Sequence, residues 1–176
     1  MRTLKYAILG LIKQSPMTGY DITNEFNKEL IHFWNAKHSQ IYPELKKLVT
    51  EGLITYKTEI SGEVLEKKVY SITEKGTKEF QEWLMTDDKI EPTAKDRFRL
   101  KMYFSTITDK ETLLRLLNSQ TRQHFEKLSS LRERFNQYEG VPDFSDSRFG
   151  DYIVLEGAVM REENYLEWLQ KCLDYL

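Results

Sequence analysis

The sequence predicts a mainly α protein that carries one short β-hairpin and divides into two units. Three features predict it. Apolar residues recur at helical spacing through the first fifty residues. Two β-branched and aromatic runs then flank a Ser-Gly turn. Beyond residue 110, two long stretches repeat apolar residues in alternating steps of four and three.

Leu4, Ala7, Ile8 and Leu11 share one face of a first helix. Ser15-Pro16-Met17 breaks it, and Thr18 can cap a second helix carrying Ile22, Phe26 and Leu30. A third helix over 39–51 places Ile41, Leu45 and Leu48 on one face, with Ser39, Pro43, Lys46, Lys47 and Thr50 opposite and Gln40 and Tyr42 on the flanks. Pro43 lacks an N–H and fits a first turn, so this helix is expected to begin near Ser39 or Gln40. Gly52 stands where a helix end often needs a left-handed residue. Residues 53–58 and 69–72 read as strands, with Ser61-Gly62 in the turn. Thr73 and Glu74 open a further helix with a cap and a first-turn acid, and Phe80, Trp83 and Leu84 form its apolar stripe.

Three helices, a hairpin and a helix within about ninety residues make a winged helix-turn-helix unit with a two-stranded β-wing. Its third helix and ribbon have the dimensions that read duplex DNA. Amide, hydroxyl, phenol and ammonium groups on that helix suit base edges and phosphates. An ordinary amphipathic helix with a solvated lysine face has the same pattern.

Residues 87–93, polar and containing Pro92, form the expected joint between a unit over 1–88 and an all-α unit over 89–176. Phe98, Met102 and Tyr103 are expected to be buried on the helix that follows. Thr108 and Glu111 have capping-box spacing for the next. Leu117, Thr121, His124, Leu128, Leu131, Phe135 and Tyr138 then run at a/d spacing as far as Gly140-Val141-Pro142-Asp143. A last helix from about Asp146 repeats that spacing in Leu155, Val159, Glu162, Leu166, Leu169, Leu173 and Leu176, beside an aromatic edge of Tyr165, Trp168 and Tyr175. The two make long antiparallel helices. Such seams serve a bundle within one chain or between two; the extra aromatic edge favours a homodimer through these C-terminal helices, as readers of palindromes require.

Composition narrows the function classes. The 176 residues carry a formal net charge of −2, with 13 Lys+Arg against 13 Asp+Glu up to residue 90 and 13 against 15 after it. Neither half is basic, which disfavours nonspecific nucleic-acid binding by bulk charge but allows a specific reader with a local field. The single Cys172 excludes an intramolecular disulfide and fits a reducing cytoplasm. No apolar run approaches the roughly 18–20 residues of a membrane span and no secretory signal is evident, so a soluble cytoplasmic protein without a membrane partner is expected. His32, His38 and His124 are scattered and Cys172 has no partner at ligand spacing, so neither metal nor cofactor is expected. Without a phosphate-cradling glycine loop or a nucleophile elbow, the chain does not read as an enzyme. Phe80, Trp83 and Trp168 sit at helical spacing and read as core rather than ligand pocket.

Four motifs, in order and spacing, resemble the PadR family of bacterial transcriptional regulators: Gly19-Tyr20-Asp21-Ile22, residues 40–48, Gly52-Leu53-Ile54, and residues 70–76 from Tyr70 to Gly76. They cover residues 1 to about 86. The long helical remainder is similar to the branch of virulence activator A-type regulators. The resemblance implies a homodimer whose winged helices bind an inverted repeat in double-stranded DNA, usually as a repressor. For some members it implies release by a small aromatic effector such as a phenolic acid. By family position the DNA contacts fall on Ser39, Gln40, Tyr42, Lys46 and Lys47 of the recognition helix and on Lys67 and Lys68 of the wing. One departure stands out. Residues 59–66 carry three glutamates and no arginine, which opposes deep entry of the wing tip into the strongly negative minor groove. A protein-binding winged helix without DNA also fits the neutral charge and acidic wing.

Overall fold

The computed structural model describes residues 2–28, 30, 34, 36–61, 65–90, 92 and 94–176, with the backbone only at 60, 61, 65 and 66. The chain divides into two compact units, Met1–Ile90 and Glu91–Leu176.

The first unit contains α1 (Thr3–Gln14), β1 (Met17–Thr18), α2 (Gly19–Lys28), α3 (His38–Thr50), β2 (Ile54–Ser61), β3 (Leu65–Ile72) and α4 (Glu74–Leu84). Its core gathers Ile8, Leu9 and Ile12 of α1, Ile22 and Phe26 of α2, and Ile41, Leu45 and Leu48 of α3 over Leu53, Ile54 and Tyr70. Leu4 and Ala7 pack at its margin. The sheet has three strands in the order β1-β3-β2, all antiparallel, rather than the expected two. The extra strand is two residues pairing Met17 with Tyr70 and Thr18 with Val69, too short to show an alternating pattern. Ser61 pairs with Leu65, so the hairpin strands run further than residues 53–58 and 69–72 suggest. The expected turn residue Gly62 and the acid Glu63 lie outside the described residues, as does the side chain of Glu66.

Several local expectations hold. Gly52 has φ +71°. The Thr73 hydroxyl accepts from the Gly76 N–H at 3.1 Å, capping α4. Thr18 and Asp21 cap α2 reciprocally: the Asp21 N–H donates to the Thr18 hydroxyl at 3.1 Å, and the Thr18 N–H donates to the Asp21 carboxylate at 3.0 Å. Two expectations need correction. Helix α3 begins at His38, so Pro43 lies beyond its first turn and removes the bond its N–H would have made to the Ser39 carbonyl. On α4, Leu84 is 61% exposed, whereas Phe80 and Trp83 pack, Trp83 stacking on Tyr6 at 4.6 Å.

The second unit contains α5 (Arg97–Tyr103), a 3₁₀ turn (Ser105–Ile107), α6 (Lys110–Phe135) and α7 (Phe149–Asp174). Asp96 caps α5 through the N–H groups of Phe98 and Arg99 at 2.8 and 2.9 Å. Phe98 is buried and Met102 partly so, but Tyr103 is 81% exposed. The cap of α6 is Asp109, which accepts from the Thr112 N–H at 2.7 Å, and not Thr108; an Asp beside a Thr competes for the same role. Helix α6 ends at Phe135, before the glycine expected to stop it, so Tyr138 lies beyond the helix and donates to Asp151 at 2.6 Å. Helix α7 starts at Phe149 rather than near Asp146.

The two a/d seams meet each other as an antiparallel αα-hairpin within the chain. Leu128 and Leu131 pack with Leu155, Ala158 and Val159; further along, Leu117 and Leu169 pack with Phe98. Between these clusters Glu162 is 2% exposed, holding Lys127 at 2.7 Å and His124 at 2.6 Å. The aromatic edge is also largely internal. Tyr165 stacks on His124 at 3.9 Å and Trp168 meets Phe98 edge-on at 6.1 Å, leaving Tyr175 and Leu176 to solvent.

Candidate DNA-binding surface

Burial of one side of α3 decides what its other side can do. With Ile41, Leu45 and Leu48 fully buried, Ser39, Gln40, Lys46 and Lys47 are exposed and Tyr42 is half-buried. The inner side is also tied electrostatically. The Arg2 guanidinium donates to the buried Glu44 at 2.7 Å and to Glu51 at 2.6 Å, anchoring α3 to the start of α1. The hydrogen bond from Arg2 holds the Glu51 carboxyl below the usual carboxylate range. These contacts set which side of the helix faces outward.

Four of the seven residues singled out from the sequence gather on one concave surface. Tyr42 and Lys46 from α3 and Lys67 and Lys68 from β3 line a cavity of about 620 Å³. Thr18, Gly19, Tyr20, Asp21 and Tyr70, none of them among the expected DNA contacts, complete it. Ser39, Gln40 and Lys47 lie elsewhere on the exposed side of α3. Gln40 has a structural task as well, since its Oε1 accepts the Lys37 N–H at 3.0 Å and closes the start of the helix.

The missed residues are placed by close approach. The ring of Tyr42 lies over Gly19, where an added Cβ would come within 2.9 Å of its Cζ. Glycine thus leaves room for the Tyr42 ring at the point where α2 and α3 meet. The Gly19-Tyr20-Asp21 motif directly after the capping Thr18 was the available signal, but nothing in one sequence says which helix it touches. Tyr42 also packs against His38, ring centroids 4.2 Å apart.

The charges on this surface are unequal in availability. Asp21 is held below the usual carboxylate range, first by the Thr18 hydroxyl and N–H, with the positive charge of Lys67 adding to the effect. Its Oδ2 is thus engaged within α2's cap, the hydroxyl bond measuring 2.7 Å. The Lys68 ammonium sits 4.2 Å above the Tyr56 ring, a cation–π contact that keeps its stem over the sheet. Burial pushes the Tyr70 phenol up, so it forms a neutral floor. Three ammonium groups beside one engaged carboxylate make this surface locally cationic on a chain that is slightly acidic. Among the described residues, no group of His, Cys, Asp and Glu could hold a metal ion, and no helix is long and apolar enough to cross a membrane.

The model of the transcriptional regulator PadR-like family matches residues 8–82, and that of the virulence activator alpha C-terminal region matches 94–176. The chain is 46% identical to the negative transcriptional regulator PadR of Bacillus subtilis, over 98% of this chain and 97% of that protein. The crystal structure of Bacillus subtilis PadR in complex with operator DNA superposes with a TM-score of 0.94 at 45% identity, covering 99% of both chains. That of the same protein with p-coumaric acid gives 0.88 at 43% identity, covering 99% of this chain and 98% of the other.

Proposed function

The chain belongs to the PadR-like family of transcriptional regulators, and from that premise we propose that it is a repressor that binds a palindromic operator as a homodimer. It is a DNA-binding regulator and not an enzyme. Release comes when a small aromatic acid of the p-coumaric type binds, as the solved complex of its Bacillus subtilis relative suggests. Its place of action is the cytoplasm, where its operator lies.

The observation that carries this reading is the convergence of Lys46, Lys67 and Lys68 on one concavity beside the exposed side of α3. In our reading Ser39, Gln40 and Tyr42 face base edges in the major groove. Lys46, Lys47, Lys67 and Lys68 neutralise flanking phosphates. The homodimer is supported by apolar side chains that the α6–α7 hairpin leaves uncovered, among them Phe104 and Ile107 (53% and 83% exposed) and Ile153 and Met160 on α7.

A mobility shift on duplex DNA from upstream of the chain's own gene tests the whole reading. The expected result is a discrete complex at nanomolar protein that resists unrelated competitor DNA and dissolves on addition of p-coumaric acid. Binding equally titrated away by any duplex would refute the operator, and a complex indifferent to aromatic acids would refute the effector.

A further inference from the structure

Tyr20 stands out on the cationic concavity. It is the second residue of α2 and 69% exposed, and its hydroxyl has no hydrogen-bond partner among the described residues. A single exposed aromatic needs no explanation in general. The setting of this one is specific in three respects. It shares one surface with the ammonium groups of Lys46, Lys67 and Lys68, drawn from two other elements. Its neighbour Asp21, the one acid among the described residues of this surface, has its Oδ2 held in the α2 cap by the Thr18 hydroxyl and N–H at 2.7 and 3.0 Å, and its charge is outnumbered by the three ammonium groups. Its backbone is held on both sides, by the Thr18–Asp21 cap and by Ile22, which is fully buried.

Resting on the DNA-binding reading above, we propose that Tyr20 is a further DNA-contacting residue: its phenol donates to a backbone phosphate next to those that Lys46 and Lys67 neutralise. The concavity then holds one strand of the duplex from three elements, α2, α3 and β3. A phenol suits this task. It donates one directed hydrogen bond to a phosphate oxygen without adding charge, so it sets position rather than bulk attraction. Because phosphates carry no sequence information, Tyr20 fixes the angle at which α3 enters the groove and leaves the choice of bases to α3 itself.

The test is fluorescence anisotropy on the full chain with two duplexes, the upstream DNA and a scrambled one, across a salt series. The variants are Y20F and Y20A, with Y175F, an exposed tyrosine of the second unit, as control. Loss of a hydrogen bond to a charged acceptor weakens binding roughly tenfold, so with one such bond in each half of the dimer Y20F should weaken binding about a hundredfold on both duplexes. The slope of affinity against salt should stay parallel to the parent's, since no charge is removed. Y20A should weaken binding at least as much, and Y175F should match the parent. Melting temperatures within about 2 °C of the parent are expected throughout, because exposed substitutions rarely change stability by more than about 0.5 kcal/mol. Tyr20 variants that bind both duplexes as the parent does would overturn this inference alone. Weakening on the upstream DNA only would overturn the backbone contact in favour of a base contact. A parent that binds neither duplex overturns the DNA-binding reading itself, and this inference with it.

Discussion

Replacing Gly76 by alanine should damage the first unit severely, and the structure says by how much. Gly76 is the third residue of α4, and its N–H completes the Thr73 cap at 3.1 Å. A Cβ there would fall inside contact distance of the Leu53 carbonyl oxygen and lie 2.9 Å from Ile72 Cγ1. That carbonyl cannot yield freely. It accepts the Thr73 N–H at 3.0 Å and the Thr73 hydroxyl at 3.1 Å. The first turn of α4 must therefore lift from the base of the hairpin. Overpacking of this kind costs about 1–3 kcal/mol, and each weakened hydrogen bond adds about 1 kcal/mol. The better helix propensity of alanine returns about 1 kcal/mol at most. The net loss is about 2–4 kcal/mol, which for a unit of this size lowers the melting temperature by roughly 10–20 °C. Calorimetry or circular dichroism melting measures it. Gly157→Ala is the matched control: its Cβ meets nothing within 4 Å, so it should raise stability by up to about 1 kcal/mol. A Gly76→Ala variant melting within 2 °C of the parent would refute the seating of α4 on Leu53.

Three further outcomes are expected. Lys46→Ala and Lys67→Ala should each flatten the salt dependence of operator binding by a slope of about 1.8, one phosphate contact in each half of the dimer. Unchanged slopes in anisotropy titrations would remove both lysines from the DNA interface. Truncation after Ile90, the boundary between the compact units, should leave a folded domain whose operator affinity falls at least about 100-fold, since the second half-site loses its effective concentration. Full affinity in the truncated chain would sink the dimeric reading. Glu162→Gln probes the polar layer of the α6–α7 hairpin. Burial alone would raise the Glu162 carboxyl, but the hydrogen bonds from Lys127 and His124 outweigh it and hold it below its ordinary value. A lowered folded pKa gives stability that is present above the ordinary carboxylate range and lost as pH falls through the folded value. The variant should therefore cost about 1–3 kcal/mol at pH 7, discounted for the half-exposed Lys127, and the gap should close at an acid pH below the folded value. Urea midpoints at the two pH values decide it, and an undiminished gap in acid would count against the ion pair.

Much of this protein follows from local pattern. Helices α1 to α4 and the hairpin were legible because apolar spacing and cap chemistry act within a few residues: Thr73 caps α4, Gly52 adopts φ +71°, and Ile41, Leu45 and Leu48 are buried together. Local competition accounts for the small errors. Asp109 outdoes its neighbour Thr108 as a cap, and α3 tolerates Pro43 past its first turn because the core holds the helix on either side.

The larger revisions concern partners distant in the sequence. Periodicity identified the seams of α6 and α7 but could not say which helix each would meet, and a seam looks the same whether it faces its own chain or another. Tertiary packing decided that Leu128 and Leu131 meet Leu155 and Val159 within the chain, and that Tyr165 and Trp168 complete that unit internally. It likewise decided the candidate DNA surface. The sequence by itself determined which residues of α3 face solvent, since helical period and hydrophobicity suffice for that. Only the fold brought Lys67 and Lys68 of β3 together with Lys46 of α3 and Tyr20 of α2. The physical reason is range: periodicity and capping act over one or two turns, whereas a surface drawn from three elements exists only after the core has fixed their positions.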